Sequence, residues 1–184
     1  MGLKIHKNGK PMFNSITRES DRWKQLFSLA VETDALVLGL CIDDNGIPEK
    51  ADDRIKIADR IITELTKAGK KIEDIAIDPL TTPLSVNTTF GLTVIDTIKG
   101  VKRNFPEAKL ITGLSNISFG LPARKQVNRA FMVSCMVNGL DGALIDPLDS
   151  VMMSIILATE AVLNKDPYCG KYLKGYRSGI VVKD

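Results

Sequence analysis

Short runs of Ile, Leu and Val recur along the chain at Met12–Ile16, Ala35–Ile42, Ile72–Ile77, Leu110–Ile117 and Ala143–Ile145. Each run is continuous rather than alternating, the pattern of strands covered on both faces. Between the runs, apolar residues return every three or four positions. Trp23, Leu26, Phe27, Ala30 and Val31 form one such stripe, and Ile55, Ala58, Ile61, Ile62 and Leu65 a second. Leu92, Ile95 and Ile98 make a shorter third; Val127, Ala130, Phe131, Ser134 and Cys135 make a fourth. A long fifth runs through Leu148, Val151, Met152, Ile155, Ile156, Thr159, Val162 and Leu163. This is helical spacing. Gly69 and Gly139 fall where helices should stop, and Pro106 follows another end.

The reading is β-α five times over, with strands starting about 25–40 residues apart. Repeated βα units imply a parallel α/β sheet with right-handed crossovers. The triplet Ile-Asp-Pro occurs twice, at Ile77–Pro79 and Ile145–Pro147, each time at an expected strand end. No linker or low-complexity tract interrupts the 184 residues, so one domain over 1–184 is expected. The segment after the fifth helix carries all three tyrosines, Tyr168, Tyr172 and Tyr176. We expect it to form a short helix packed under the sheet.

Composition narrows the function classes. Apolar residues at 44% exclude disorder, and the chain is long enough for one substantial core. No apolar stretch approaches the roughly 20 residues of a membrane span. The N-terminus lacks the apolar core of a signal peptide. A formal charge of +3 is no nucleic-acid footprint. Cys41, Cys135 and Cys169 are odd in number and lack C-x-x-C spacing, which argues against a disulfide framework or a Cys-based zinc site. His6 is the only histidine, so His-based triads and metal sites are not expected. Together these features lead us to expect a cytoplasmic protein with no bound metal, no membrane contact and no nucleic-acid partner.

The polar residues at the strand ends carry the chemistry. The five runs point to Asn14, Asp43, Asp78, Asn116 and Asp146 there, with no Lys, Arg, His or Cys in those places. In a parallel sheet or barrel, the C-terminal strand ends gather on the face that binds ligands. Carboxylates accept hydrogen bonds, and carboxamides both accept and donate. Such a set suits a flat heterocycle presenting ring N–H and NH₂ groups beside a carbonyl, as an aminopyrimidinone does. It does not suit a bare phosphate, and no glycine-rich phosphate loop is present. Asp-Pro and Asp-Asp-Asn-Gly sequences also form turns for purely local reasons, so convergence of the set is what matters. Gly113 and Gly120 allow a flat ligand to approach the backbone. Arg124 stands where it meets either a carboxylate or solvent. Asn128, one helical turn later, is positioned to hydrogen-bond back to the preceding loop. Met132, Cys135 and Met136 read as core filler.

These residues resemble a known family. Asn14-Ser15-Ile16, Ile77-Asp78-Pro79-Leu80, Gly113-Leu114-Ser115-Asn116-Ile117-Ser118 with Leu121-Pro122, Arg124, Asn128 and Phe131, and Gly139 through Asp146 are similar to the pterin-binding methyltransferases. Within them the chain looks nearest to the enzymes that move a methyl group between methyltetrahydrofolate and a corrinoid/iron–sulfur protein. The pterin-binding domain of cobalamin-dependent methionine synthase is a cousin, and dihydropteroate synthase a more distant one. The last would need basic residues for a diphosphate at the late strand ends, where Asn116 and Asp146 stand instead.

The resemblance implies a TIM-type barrel that binds 5-methyltetrahydrofolate at its top face. It implies that Asn14 and Asp78 hold the pterin, that Asn116 hydrogen-bonds near N5, and that these three serve catalysis. Asp43, Gly113, Ser115, Arg124 and Asp146 join them as substrate-binding positions. It further implies a cobalamin-type corrinoid carried by a separate protein as methyl acceptor. The family barrel has eight βα units, and the five here match its C-terminal part. The first strand looks like the family's fourth, and an acidic pterin-contacting position falls in the absent part. The remaining units are expected from a separate N-terminal partner chain or from self-association in a homo-oligomer; otherwise the chain is a truncated product with weak or no activity.

Overall fold

In a computed structural model the described residues are 8–182. His6 and the rest of the N-terminal heptapeptide lie outside them. Five strands form one sheet: β1 (Met12–Arg18), β2 (Leu36–Asp43), β3 (Ile75–Asp78), β4 (Lys109–Gly113) and β5 (Gly142–Leu144). The helices are α1 (Ser20–Glu32), α2 (Ala51–Lys67), α3 (Phe90–Asn104), α4 (Arg124–Val137), α5 (Ser150–Val162) and α6 (Gly170–Arg177). All strand pairs are parallel, and the spatial order β1-β2-β3-β4-β5 is the chain order. A doubly wound sheet would reverse its order at a switch point. An unreversed order winds one way round and keeps the helices on one side, the arrangement of a barrel arc. The expected partial TIM-type α/β fold is therefore present, and the described residues leave one edge of β1 and one edge of β5 unpaired.

Side-chain alternation and register separate the two faces of the arc. Val37, Gly39 and Cys41 of β2 stand in line with Ile75 and Ile77 of β3, and Ile77 with Leu110 of β4. This is the helix-covered face. A Cβ on Gly39 would lie 2.8 Å from Cγ2 of Ile61, which is how closely α2 seats on β2. The other face carries Met12, Asn14, Leu36, Leu38, Leu40, Ala76, Asp78, Ile111 and Leu144. It is the inside of the arc, and its two ends are the most open: Met12 is 44% exposed and Leu144 56%.

Of the second helical stripe, Ala58, Ile61, Ile62 and Leu65 are buried, Ile55 is only partly so and Ile57 joins them, and Gly69 ends the run at φ +96°. The third stripe needs correction. α3 buries Phe90, Val94, Ile98 and Val101, whereas Leu92 is exposed. Two adjacent frames fit so short a pattern. The frame chosen by the fold lets α3 cross α2 at Gly100, where an added Cβ would meet Cδ1 of Ile55. Met132, Cys135 and Met136 are core, as their apolar spacing suggests. Burial pushes the Cys135 thiol up to about 12 and raises that of Cys41 as well, so neither is a nucleophile at neutral pH.

Two boundaries and one packing position also differ. Ile72–Asp74 is a 3-10 turn ahead of β3, and Leu114–Ser118 is a 3-10 turn after β4. The tyrosine-bearing segment forms α6, which packs on α5 rather than under the sheet. Gly175 is buried there, and a Cβ would sit 2.7 Å from Cδ1 of Leu157.

Candidate active site

The C-terminal end of β3 carries a connected set of polar groups. Asp78 is its last residue. Its Oδ1 accepts from the Leu80 N–H at 2.8 Å and from the Thr112 hydroxyl at 2.8 Å. Thr112 spends its only hydrogen on Asp78. The 2.9 Å contact between Thr81 and Thr112 therefore has Thr81 as donor. A chain Thr81→Thr112→Asp78 results, with both threonines buried. Burial raises the Asp78 pKa, opposed by the Leu80, Thr112 and Gly113 hydrogen bonds and by the positive charge of Arg54. The Leu80 and Thr112 bonds both fall on Oδ1, so Oδ2 keeps a lone pair to accept from a ligand even where it shares the Gly113 N–H.

Arg54 shapes the loop that follows. It belongs to α2 and is fully buried. Its Nε donates to the Pro48 carbonyl at 2.7 Å, and Nη1 donates to the carbonyls of Pro79 at 2.8 Å and Leu80 at 2.6 Å. Leu80 has φ +61°, a conformation that a branched side chain resists. The guanidinium fork holds the two carbonyls that flank this strained residue. Arg54 thus fixes the turn that presents Asp78. The sequence held a signal for it: Arg54 lies on the stripe of Ala58, Ile61 and Leu65, where a charge has no place unless paired.

Asn116 meets this centre through Gly113. It sits in the 3-10 turn after β4, not at the strand end. A Cβ on Gly113 would lie 3.6 Å from its Nδ2, so the carboxamide stands beside Gly113, whose backbone N–H reaches Asp78. Ser115 and Arg124 brace that turn. Arg124 donates from Nη2 to the Ser115 carbonyl at 2.7 Å and from Nε to the Ser118 hydroxyl at 3.0 Å, with its guanidinium over Phe119. Neither of the two roles foreseen for Arg124 matches this: its donors are turned onto the loop. Asn128 does not hydrogen-bond back to the loop, and its Oδ1 is buried without a partner.

Asn14 is mid-strand, because β1 continues to Arg18. That strand ends in an arginine, contrary to the expectation of acids and amides alone. Asn14 is exposed on the inner face, beside Leu38, which pairs with Ala76; Asp78 is two residues further along β3. Two strand spacings and two residues separate Asn14 from Asp78 by on the order of 12 Å between Cα atoms. The Asn14–Ser15 peptide is cis.

Asp43 and Asp146 stand apart from this group. Asp43 lies on the helix-covered face, and its Oδ1 accepts from the Asn45 N–H at 2.9 Å in a tight turn closed by Gly46. It lines a cavity of about 400 Å³ with Pro48, Lys56 and Arg60 on the outside of the arc. Asp146 lies two residues beyond β5, is exposed, and accepts from the Leu148 N–H at 2.9 Å. It borders a separate cavity of about 300 Å³ with Ser115 and Asn128. In both, a local turn claims the carboxylate. Among the described residues, no group of three His, Cys, Asp or Glu side chains is placed to hold a metal, and no helix is long and apolar enough to cross a membrane.

Residues 1–146 match the family model described as pterin binding enzyme. The chain is 34% identical over 170 residues to the methylcorrinoid:tetrahydrofolate methyltransferase of Eubacterium limosum, covering 91% of this chain and 63% of that protein. It is 34% identical over 152 residues to the methionine synthase of Mycobacterium tuberculosis and 32% identical over 152 residues to that of Mycobacterium leprae. Those two alignments cover 76% of this chain and 13% of each relative. The chain thus spans less than two thirds of the length of the relatives it matches.

Proposed function

The chain belongs to the pterin-binding enzymes, and from that premise we propose that it binds 5-methyltetrahydrofolate and takes part in moving the N5 methyl group to the Co(I) centre of a corrinoid protein. The carrying observation is the pairing at Gly113: an Asp78 carboxylate with its side-chain and Leu80 donors on Oδ1 and accepting capacity left on Oδ2, and an Asn116 carboxamide beside it. An acceptor and an amide side by side match a ring bearing N–H donors next to the nitrogen that loses its methyl group. The names of the relatives, a methylcorrinoid:tetrahydrofolate methyltransferase and methionine synthases, agree with this reading.

Asp78 holds the ring through its N–H and NH₂ donors. Asn14, further along the inner face, bounds the far end of the ring. Asn116 stands at N5. When the methyl group departs, the C–N electron pair stays on N5, and the nitrogen must carry a proton to leave as an amine. A carboxamide whose hydrogen bond tightens as charge changes at N5 lowers that barrier without tightening the ground state. The corrinoid supplies the cobalt nucleophile and arrives on its own protein. Gly113 keeps the floor flat, while Arg124 and Ser115 hold the turn. Asp43 and Asp146 then act as loop formers near the rim. The reducing cytoplasm suits a Co(I) acceptor and three free thiols.

A second reading is favoured by one observation, the unpaired edges of β1 and β5. In it the chain is a non-catalytic pterin-binding part that works once a homo-oligomer or an N-terminal partner chain closes the barrel. Titration with 5-methyltetrahydrofolate, followed by a Co(I)-corrinoid methylation assay with the chain alone and with a polypeptide supplying three further βα units, separates the two. Within the catalytic reading, Asn116→Ala lowers the methyl-transfer rate roughly 100-fold and folate affinity less than about 3-fold. Equal losses in both contradict its place at N5.

A further inference from the structure

Large apolar side chains stand in solvent at one end of the sheet's connecting loops and not at the other. Each loop that follows β2, β3, β4 and β5 carries one: Ile47 is 45% exposed, Val86 75%, Phe119 64% and Leu148 88%. The loops at the opposite end, residues 33–35, 68–74, 105–108 and 138–141, carry none. Asp34, Lys71 and Glu107 meet solvent there instead. A single exposed apolar residue is ordinary, but a set confined to one face marks a surface that another molecule covers.

Val86 and Phe119 are held in one frame with Asn116. Ser85 donates from Oγ to the Phe119 carbonyl at 2.6 Å, and the Leu84 N–H donates to the Ile117 carbonyl at 3.0 Å. The Phe119 N–H donates to the Asn116 carbonyl at 3.1 Å. Apolar groups fixed in this way lose little freedom when a partner binds. β2 and β5 are three strand spacings apart, about 15 Å. All four side chains therefore fit beneath one protein with a footprint on the order of 800 Å².

The reaction chooses the molecule. Ser115 and Asn116 are exposed on this same face. Direct methyl transfer brings the accepting cobalt within about 3–3.5 Å of the methyl carbon. A protein that carries the cobalt must then lie over Asn116, and the loops flanking Asn116 fall inside its footprint. We propose that Ile47, Val86, Phe119 and Leu148 form the docking surface for the corrinoid protein, with Val86 and Phe119 at its centre. This rests on the proposed methyl-transfer reading. The matching surface around the corrin is apolar, so added salt weakens the complex little.

The test titrates the corrinoid protein served by the Eubacterium limosum relative into the chain saturated with 5-methyltetrahydrofolate. Loading that protein with cob(II)alamin keeps the methyl group in place. The double variant Val86→Ser/Phe119→Ser should weaken the complex roughly 10- to 30-fold and Leu148→Ser roughly 3-fold. Val162→Ser, at a position 85% exposed on α5, should change it less than about 2-fold. Affinity for 5-methyltetrahydrofolate should stay within about 2-fold of wild type in all three. If the double variant does not fold, Val86→Ser alone should weaken the complex roughly 3-fold. Full affinity in the loop variants, an equal loss in Val162→Ser, or an equal loss of folate affinity overturns the inference. So does a self-dimer, seen by sedimentation, that the loop variants dissolve. A wild type that binds folate but not the corrinoid protein overturns the inference and leaves the folate reading standing. A wild type that binds neither overturns both.

Discussion

The triplet Ile-Asp-Pro stands at two places in the arc, and the two copies have different fates. Asp78 and Asp146 make the same local bond, each Oδ1 accepting from the N–H two residues on, at 2.8 and 2.9 Å. Beyond that they part. Asp78 also takes the Thr112 hydroxyl, and its loop is gripped by Arg54. Asp146 has no second donor among the described residues and lies exposed. The tripeptide specifies an Asx turn and nothing more; neighbours from other elements turn one copy into a half-buried acceptor.

The same contrast holds for the helices beside them. α2 buries Arg54 together with five apolar residues, Ile57, Ala58, Ile61, Ile62 and Leu65. α5 is far more apolar in sequence, yet buries only Met152 and Thr159. α2 lies inside the row of helices, packed on β2 and between α1 and α3, whereas α5 packs on α4 and α6 at the end of the row. Burial follows the neighbours available, not the hydrophobicity of the segment.

Substitutions can break this contrast from the strong side first. Arg54→Met removes donors from three carbonyls and frees the strained Leu80 turn. It should cost about 3–4 kcal/mol in urea unfolding. A loss under about 1 kcal/mol would mean that the fork does not hold the loop. Thr112→Val leaves Thr81 without its acceptor and Asp78 without one donor, and should cost about 1–1.5 kcal/mol by the same measurement. Asp146→Ala removes only an exposed Asx turn and should cost no more than about 0.5 kcal/mol. Should Asp146→Ala match Thr112→Val, the two copies would be equivalent after all.

A pH series sharpens the comparison with a smaller effect. The folded-state pKa of Asp78 is raised by burial. Between 3.8 and its raised value, the folded protein holds a proton that the unfolded chain has released. Stability from this group is therefore complete below 3.8 and is lost as pH rises through the folded value. Asp78→Asn should be relatively more stabilising at neutral pH than at pH 3.5, read as the difference between wild-type and variant unfolding curves. A pH-independent difference would contradict a raised pKa.

Much of the fold was legible in the sequence because continuous apolar runs and helical stripes alternate without interruption. The misplaced boundaries have local causes. Leu114–Ile117 looks like strand, yet Gly113 and the Ser115–Asn116 pair favour a turn held by Arg124. Leu92, Ile95 and Ile98 fit a helix, but only packing against α2 decides which face is inward. In the site, Asp78 and Asn116 were readable because they flank strand ends. Arg54 was readable only as a charge on an apolar stripe. Asp43 shows the limit: its type and place suited the site, but strand alternation turns it to the helix-covered face. Alternation depends on register, which one sequence does not give.

The central claim is that the carboxylate of Asp78 grips the ring. Titration of 5-methyltetrahydrofolate into wild type and Asp78→Asn at neutral pH tests it most directly. Replacing a charged acceptor by a neutral amide should weaken binding roughly 10- to 100-fold. Equal affinity in the two proteins would contradict the account.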